Sequence, residues 1–276
     1  MRAVLLFLFV LISQLTAAPL SRCILTEEAQ PSSALENLLS YLCIPKQTDL
    51  NALVSTTQMR WFQKGKERWE FSLIEEDKRP QLIPLLKQIG LIDRIDASAL
   101  EYDTALIFGG LHCRVVRRVN HLIAQFQRGV RFKQVVLLTG QRYLDHDTFE
   151  KDIPLNTETE MMLYVWMNTS MPQELREVPL LIIDTPQQIR ADGSLTRPTT
   201  QDTLVEWQKN TFEPGRCLFV SDQPFCGYQE SVARTCLPAE FSIETIGAES
   251  DPDLPIAIYL DNLARWIYQE KIRVYL

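Results

Sequence analysis

The hydrophobic pattern changes character about a third of the way along the chain. Between residues 24 and 100, apolar residues recur at three- and four-residue spacing, as on the buried face of a helix. From residue 103 onward, short runs of consecutive apolar residues alternate with amphipathic segments of about 10–15 residues. This pattern predicts helices in the first region and alternating strands and helices in the second.

Five apolar runs are the predicted strands. Continuous apolar runs separated by helices are typical of strands that are buried on both faces of a parallel sheet. The predicted strands are residues 103–110, 134–140, 178–186, 216–223 and 241–247. We therefore expect an α/β fold, a three-layer α/β/α Rossmann-like domain with a parallel sheet of about five strands. We place this domain at residues 101–276 and an N-terminal helical region at residues 24–100.

The first residues have the layout of a secretory signal. Met1 and Arg2 form a small basic start, residues 3–12 are apolar without interruption, and small residues end the segment at Ala18. The apolar run is too short to span a bilayer as a mature helix. We expect a signal peptide at residues 1–18, a periplasmic or secreted protein, and no transmembrane segment after the signal. The alternative is a buried first strand or helix.

The composition narrows the class of ligand. Lys and Arg number 28 against 35 Asp and Glu, which gives a formal charge of −7. An acidic chain without long basic runs is a poor candidate for binding nucleic acid or an anionic membrane. We therefore expect a small-molecule ligand and no nucleic acid, with residues 24–100 as the surface for any protein partner.

The chain has six cysteines, which matters if the protein is exported to an oxidising compartment. An even number of cysteines permits disulfide bonds in an oxidising environment. No Cys-x-x-Cys pair and no His/Cys set with metal-ligand spacing occurs, so we predict no metal site. The expected disulfides are Cys23–Cys43 together with either Cys217–Cys236 or Cys113–Cys226.

Polar and glycine-rich turns follow the predicted strands. In an open parallel sheet, ligands bind in the crevice beyond the carboxyl ends of the strands. Glycine turns there let a ligand approach backbone amides, and arginines beside them can bind a phosphate or carboxylate. For Arg114 and Arg117, a solvated helix face is the alternative. The predicted ligand-binding residues are Gly109, Gly110, Arg114, Arg117, Thr139, Gly140, Arg197, Thr200, Ser221 and Gln223.

Two acidic residues are the candidate catalytic groups. Glu160 lies in the segment TETEMM and Asp202 in the segment RPTTQDTLVEW, each near the start of a predicted helix. Either carboxylate can act as a base or orient a ligand, and Glu158, at the start of the same predicted helix as Glu160, is an alternative for this role. Helix capping and the favourable position of acids at helix N-termini explain the same residues without catalysis. The sequence leaves open whether the protein is an enzyme and which cofactor it uses.

The ordered strand-end segments resemble those of the SanA/YdcF/ElyC-like family, a domain of unknown function. The matching segments, over about residues 102–272, are ALIFGG, VVLLTG, TETEMM, RPTTQDTLVEW and CLFVSDQ. The resemblance implies a Rossmann-like bacterial domain that is exported or tethered at the inner membrane, with a role in the cell envelope. It also implies motif roles for a set of residues matched by position: Gly109, Gly110, Arg117, Thr139, Gly140, Glu160, Thr200, Asp202 and Ser221.

This chain departs from the family pattern after the fourth predicted strand. Many members carry a histidine and an arginine there, whereas this chain has residues 223–229, QPFCGYQ. Three hypotheses therefore stand. The first is an envelope-associated protein, with or without enzymatic activity, that binds a phosphate- or nucleotide-bearing small molecule. The second is a non-catalytic interaction protein with a degenerate pocket. The third is binding of S-adenosylmethionine, against which the absence of a GxGxG turn counts.

Overall fold

The computed structural model describes residues 18–47, 49–66, 70–147, 150–189, 193, 195–210 and 213–276. The predicted signal peptide lies outside these residues, except for Ala18. No helix of the described part is long and apolar enough to cross a membrane.

A five-stranded parallel sheet forms the centre of the molecule and confirms the predicted α/β fold class. Its strands are β1 (Glu101–Phe108), β2 (Arg131–Gly140), β3 (Leu180–Thr185), β6 (Arg216–Asp222) and β7 (Ser242–Ala248). They lie in the order β3-β2-β1-β6-β7, and every neighbouring pair is parallel. Two short strands, β4 (Gln188–Ile189) and β5 (Leu195–Thr196), pair with each other in an antiparallel hairpin.

The described residues form nine α-helices. They are α1 (Ser33–Tyr41), α2 (Leu50–Trp61), α3 (Arg79–Gln88), α4 (His112–Gln127), α5 (Glu158–Asn168), α6 (Gln173–Arg176), α7 (Thr200–Lys209), α8 (Cys226–Cys236) and α9 (Ile256–Tyr275). Helices α4 and α5 share a core with one face of the sheet, and α7 and α8 share a core with the other face. The result is the expected three-layer arrangement.

Successive side chains of β1 point to opposite faces of the sheet and so contribute to both hydrophobic cores. Ala105 and Ile107 point into the core with α4 and α5, while Leu106 and Phe108 point into the core with α7 and α8. All four side chains are buried, because a parallel strand covered on both faces has no solvent side. Phe108 stacks on Phe219 of β6 with ring centroids 5.5 Å apart.

The N-terminal helices pack against the end of the chain. Residues of α1, α2 and α3 form one buried cluster with α9. Ile95 pairs with Gly247 at the edge strand β7, and the Gln63 amide donates to the Asp261 carboxylate of α9 at 3.0 Å. This packing brings the segment that follows α2 close to the carboxyl ends of the strands.

The predicted disulfides are wrong, because all six cysteines are free thiols. Cys113 is exposed on α4, whereas Cys226 is fully buried on α8, and these helices pack on opposite faces of the sheet. The Cys226 thiol lies against Gly247, where an added Cβ would come within 2.2 Å of its sulfur. The sequence places both cysteines at helix starts but does not say which face each helix covers.

The other two expected pairs are separated as well. Cys217 is buried at the start of β6 near Asp103, while Cys236 lies at the end of α8 near Asp202. The Cys23 sulfur lies against Gly90, where an added Cβ would be 3.4 Å away. Its expected partner, Cys43, is exposed.

Candidate functional site

A cavity of about 290 Å³ lies at the carboxyl ends of β1, β2 and β6. The starts of four helices reach its wall, with Leu111 before α4, Glu158 of α5, Thr200 of α7 and Phe225 before α8. Lys66 and Phe71, from the chain after α2, and Arg265 of α9 complete the lining. The cavity occupies the crevice where parallel α/β sheets bind their ligands.

The four helix N-termini differ in how their first turns are satisfied. The N-terminus of α5 has a capping box formed by Thr157 and Glu160, and the N-terminus of α7 has one formed by Thr199 and Asp202. At α4 the carboxylate of Glu150 accepts from the backbone amide of His112 at 3.3 Å, whereas no side chain of its N-cap residue caps α8. The first turn of a helix carries backbone N–H groups without intrahelical partners and a partial positive charge. The N-terminus of α8 is therefore suited to an anion in the cavity.

Positive charge dominates the cavity wall. Glu158 is the one carboxylate that lines the cavity within the described part of the chain. Three further carboxylates, Asp222, Glu150 and Asp261, form ion pairs with cations of the wall. The lining cations are Lys66, Arg114, Arg118, Arg142, Arg197 and Arg265. Among the described residues that line the cavity, cations therefore outnumber carboxylates, although the chain as a whole carries −7.

Arg114 is the cation with an unmet hydrogen-bonding requirement. The residue is 8% exposed, and its Nη1 atom has no hydrogen-bond partner among the described residues. That atom lies 3.9 Å from Oδ2 of Asp222, and the guanidinium carbon lies 4.0 Å from the centroid of the Phe225 ring. Burial lowers the pKa of Arg114. A buried donor without a partner costs about 1–3 kcal/mol.

Arg118 has the opposite role, because its donors are used within the protein. Its Nε donates to Oδ1 of Asp222 at 2.8 Å, and its Nη1 donates to the Phe108 carbonyl at 2.8 Å. The Gly109 carbonyl also accepts from Nη1. Arg118 therefore fixes the end of β1 and the glycine turn in place, and joins them to the end of β6.

Arg142 and Glu158 line the cavity as a hydrogen-bonded pair. Arg142 donates from Nε to Oε2 of Glu158 at 2.9 Å and from Nη1 to the buried carboxylate of Glu150 at 3.0 Å. Its Nη2 reaches the Gly110 carbonyl at 3.1 Å. Burial raises the pKa of Glu158, and the Arg142 charge opposes that rise.

Six of the predicted ligand-binding residues line the cavity: Gly109, Gly110, Arg114, Gly140, Arg197 and Thr200. The glycine at position 140 allows a close approach of β2 to the chain before α7, since an added Cβ would lie 3.0 Å from Pro198.

The other four lie elsewhere. Arg117 bonds to the Glu249 carbonyl and faces Asp251. The hydroxyl of Thr139 is buried between β2 and β3 and bonds to the Ile183 carbonyl at 2.9 Å. Ser221 is buried beneath the wall, and its hydroxyl donates to Gln229. Gln223 turns away from the cavity and donates to the Gly90 carbonyl at 2.8 Å.

The two candidate catalytic acids are not among the lining residues. Glu160 accepts from the backbone amides of Asn156 and Thr157, and these bonds lower its pKa. Asp202 accepts from the Thr199 amide at 2.8 Å and from the Gln188 side chain at 2.7 Å. Both carboxylates act as helix caps in the structure, which was the alternative explanation of their positions.

Several lining residues lay outside the predicted set. Arg142 follows the turn at Gly140, so the rule that ligands bind beyond the carboxyl ends of parallel strands makes it a candidate. The direction of a side chain in the loop after a strand is harder to predict than that of one within the strand. Glu158 is an alternative to Glu160 in the sequence, and the structure places Glu158, not Glu160, at the cavity wall. Lys66, Phe71 and Arg265 carry no sequence signal, because their place depends on how the N-terminal helices pack on α9.

Among the described residues, no group of three or more His, Cys, Asp or Glu side chains is arranged to hold a metal ion. No protein-family model matches the chain, and no curated protein matches it.

Proposed function

We propose that this protein binds a phosphate-bearing small molecule, a phosphate monoester or nucleotide, in the cavity at the strand ends. The observation that carries the proposal is Arg114, a buried guanidinium at the cavity wall whose Nη1 has no hydrogen-bond partner in the part of the chain that the structure describes. Charged donors and phosphate oxygens make strong hydrogen bonds, and arginine is well suited to phosphate.

The surroundings of Arg114 support an anionic ligand. The N-terminus of α8 reaches the same cavity, and among the described lining residues the cations outnumber the carboxylates. A cavity of about 290 Å³ suits a small phosphate compound. S-adenosylmethionine fits less well, because its sulfonium and ammonium groups are cationic.

Two wider proposals accompany this one. Residues 1–18 support export to the periplasm or beyond, and the strand-end segments support membership of the SanA/YdcF/ElyC-like family and a role in the bacterial cell envelope. Sequencing the N-terminus of the protein recovered from its own cell would test export. A mature chain that starts after Ala18 supports the proposal, and an intact Met1 contradicts it.

Calorimetric titration tests the ligand class. Inorganic phosphate, a sugar phosphate and a nucleoside monophosphate are titrated into the protein, with the free sugar and the free nucleoside as matched controls. We expect binding by the phosphorylated compounds and none by their uncharged counterparts. Equal binding of a sugar and its phosphate, or no binding of any phosphate compound, would contradict the proposal.

A further inference from the structure

Glu158 is out of place in a cavity that attracts anions. It is the one lining carboxylate in the described part of the chain, and an ionised carboxylate repels the ligand that the arginines attract. The fold nevertheless makes room for it: a Cβ added at Gly109 would lie 1.9 Å from Oε1 of Glu158. The glycine turn is therefore fitted to this carboxyl group.

The charged groups that face Glu158 come from three elements. They are Arg142 from the chain after β2, Arg118 from α4, and Arg197 from the chain before α7. Glu150 bonds to the other side of Arg142. Burial raises the pKa of Glu158 and the three arginines oppose that rise, and the net result is a pKa above the usual value of a glutamate.

We infer that Glu158 shares one proton with the bound anion and thereby selects a phosphate over a sulfate. The inference rests on the proposed phosphate ligand. A phosphate brings an exchangeable proton near neutral pH, since the second pKa of a monoester is about 6. Either the P–OH donates to ionised Glu158 or the protonated carboxyl donates to a phosphate oxygen, with one proton in the O–H···O bond in both cases. Sulfate brings no proton, so Glu158 has to take one from solvent.

Sulfate is therefore a useful probe, because it does not titrate between about pH 5 and pH 9 and any pH dependence of its binding comes from the protein. We expect sulfate to bind best at low pH, where Glu158 is protonated. As Glu158 ionises, the sulfate Kd rises by up to about tenfold per pH unit. Inorganic phosphate, which keeps one P–OH proton across this range, is therefore preferred over sulfate at the high end of the range.

Glu158→Gln is the decisive variant. Glutamine keeps an acceptor oxygen for Nε of Arg142 and removes the titration, so we expect a sulfate Kd that does not change with pH. Glu160→Gln is the matched control on the same helical turn, because its side chain caps α5 outside the cavity. Histidines change charge in this pH range, so His112→Asn, at the start of α4, is the second control. Both controls keep the pH dependence of the wild type.

The outcomes separate this inference from the proposal beneath it. A pH-independent sulfate Kd in the wild type, or an unchanged pH dependence in Glu158→Gln, overturns the role of Glu158 and leaves phosphate binding standing. Absence of binding by both anions at every pH overturns the phosphate ligand itself. A thermal melt checks that Glu158→Gln is folded. If it is not, the wild-type profile and the two control variants decide, since loss of the dependence in either control contradicts the inference.

Discussion

At the scale of single residues, the cavity depends on a few side chains with specific neighbours. Arg118 and Arg142 use their donors to fix the glycine turn after β1, whereas Nη1 of Arg114 has no hydrogen-bond partner among the residues that the structure describes. The sequence points to this turn through Gly109 and Gly110, because strand ends of parallel sheets carry the ligand site. It does not predict which arginine faces inward, since that depends on side-chain contacts across the sheet.

The two glycines of the turn differ in what they tolerate. We expect Gly109→Ala to displace the Glu158 carboxyl and to destabilise the protein by roughly 1–3 kcal/mol, as overpacking does. Gly110→Ala is the matched control, because its nearest neighbour, Nη1 of Arg118, would lie 3.4 Å from the new Cβ. Urea unfolding of both variants measures the difference. Equal stabilities would show that the Glu158 carboxyl does not occupy this position.

The free thiols give a second prediction at this scale. Burial raises the pKa of Cys217 to about 12 and also raises that of Cys226, so both remain uncharged thiols near pH 8. We expect Ellman's reagent to modify the exposed Cys43 and Cys113 quickly in the folded protein and to modify all six cysteines after unfolding without reductant. Fewer than six reactive thiols in the unfolded protein would reveal a disulfide.

At the scale of elements, the apolar runs predict the strands well, and the first predicted strand at residues 103–110 corresponds to β1 at Glu101–Phe108. Buried parallel strands need continuous apolar residues, so their signal is local. The acids at the helix starts are harder to interpret. Glu160 and Asp202 satisfy the sequence rule for a cap and the rule for a catalytic group equally, and only the direction of each side chain separates the two.

Asp202→Ala distinguishes a cap from a catalytic or ligand-binding role. Because Asp202 closes the capping box of α7 with Thr199, we expect the substitution to lower stability by about 0.5–2 kcal/mol. The phosphate Kd of the folded variant is expected to remain that of the wild type. Chemical unfolding and calorimetric titration measure the two effects. A large loss of affinity at unchanged stability would restore Asp202 to the ligand site.

At the scale of the whole molecule, one acidic chain concentrates positive charge in one cavity. The net charge of −7 argues against polyanionic partners, and it conceals the local excess of cations that chain order cannot reveal. Arg114, Arg142 and Arg265 come from distant parts of the sequence and meet only because the sheet and α9 bring them together. The disulfide prediction was wrong for the same reason: which cysteines meet depends on which face of the sheet each helix covers, and chain order does not give this.

Comparison of Arg114→Gln with Arg117→Gln tests phosphate binding most directly. Both variants remove one positive charge from α4, but only Arg114 lines the cavity. In calorimetric titrations with a phosphate monoester, we expect Arg114→Gln to weaken binding by roughly tenfold to a hundredfold, as the loss of a charged hydrogen bond does. Arg117→Gln is expected to bind as the wild type does. Equal affinities of all three proteins, or a loss confined to Arg117→Gln, would contradict a phosphate site at the strand ends.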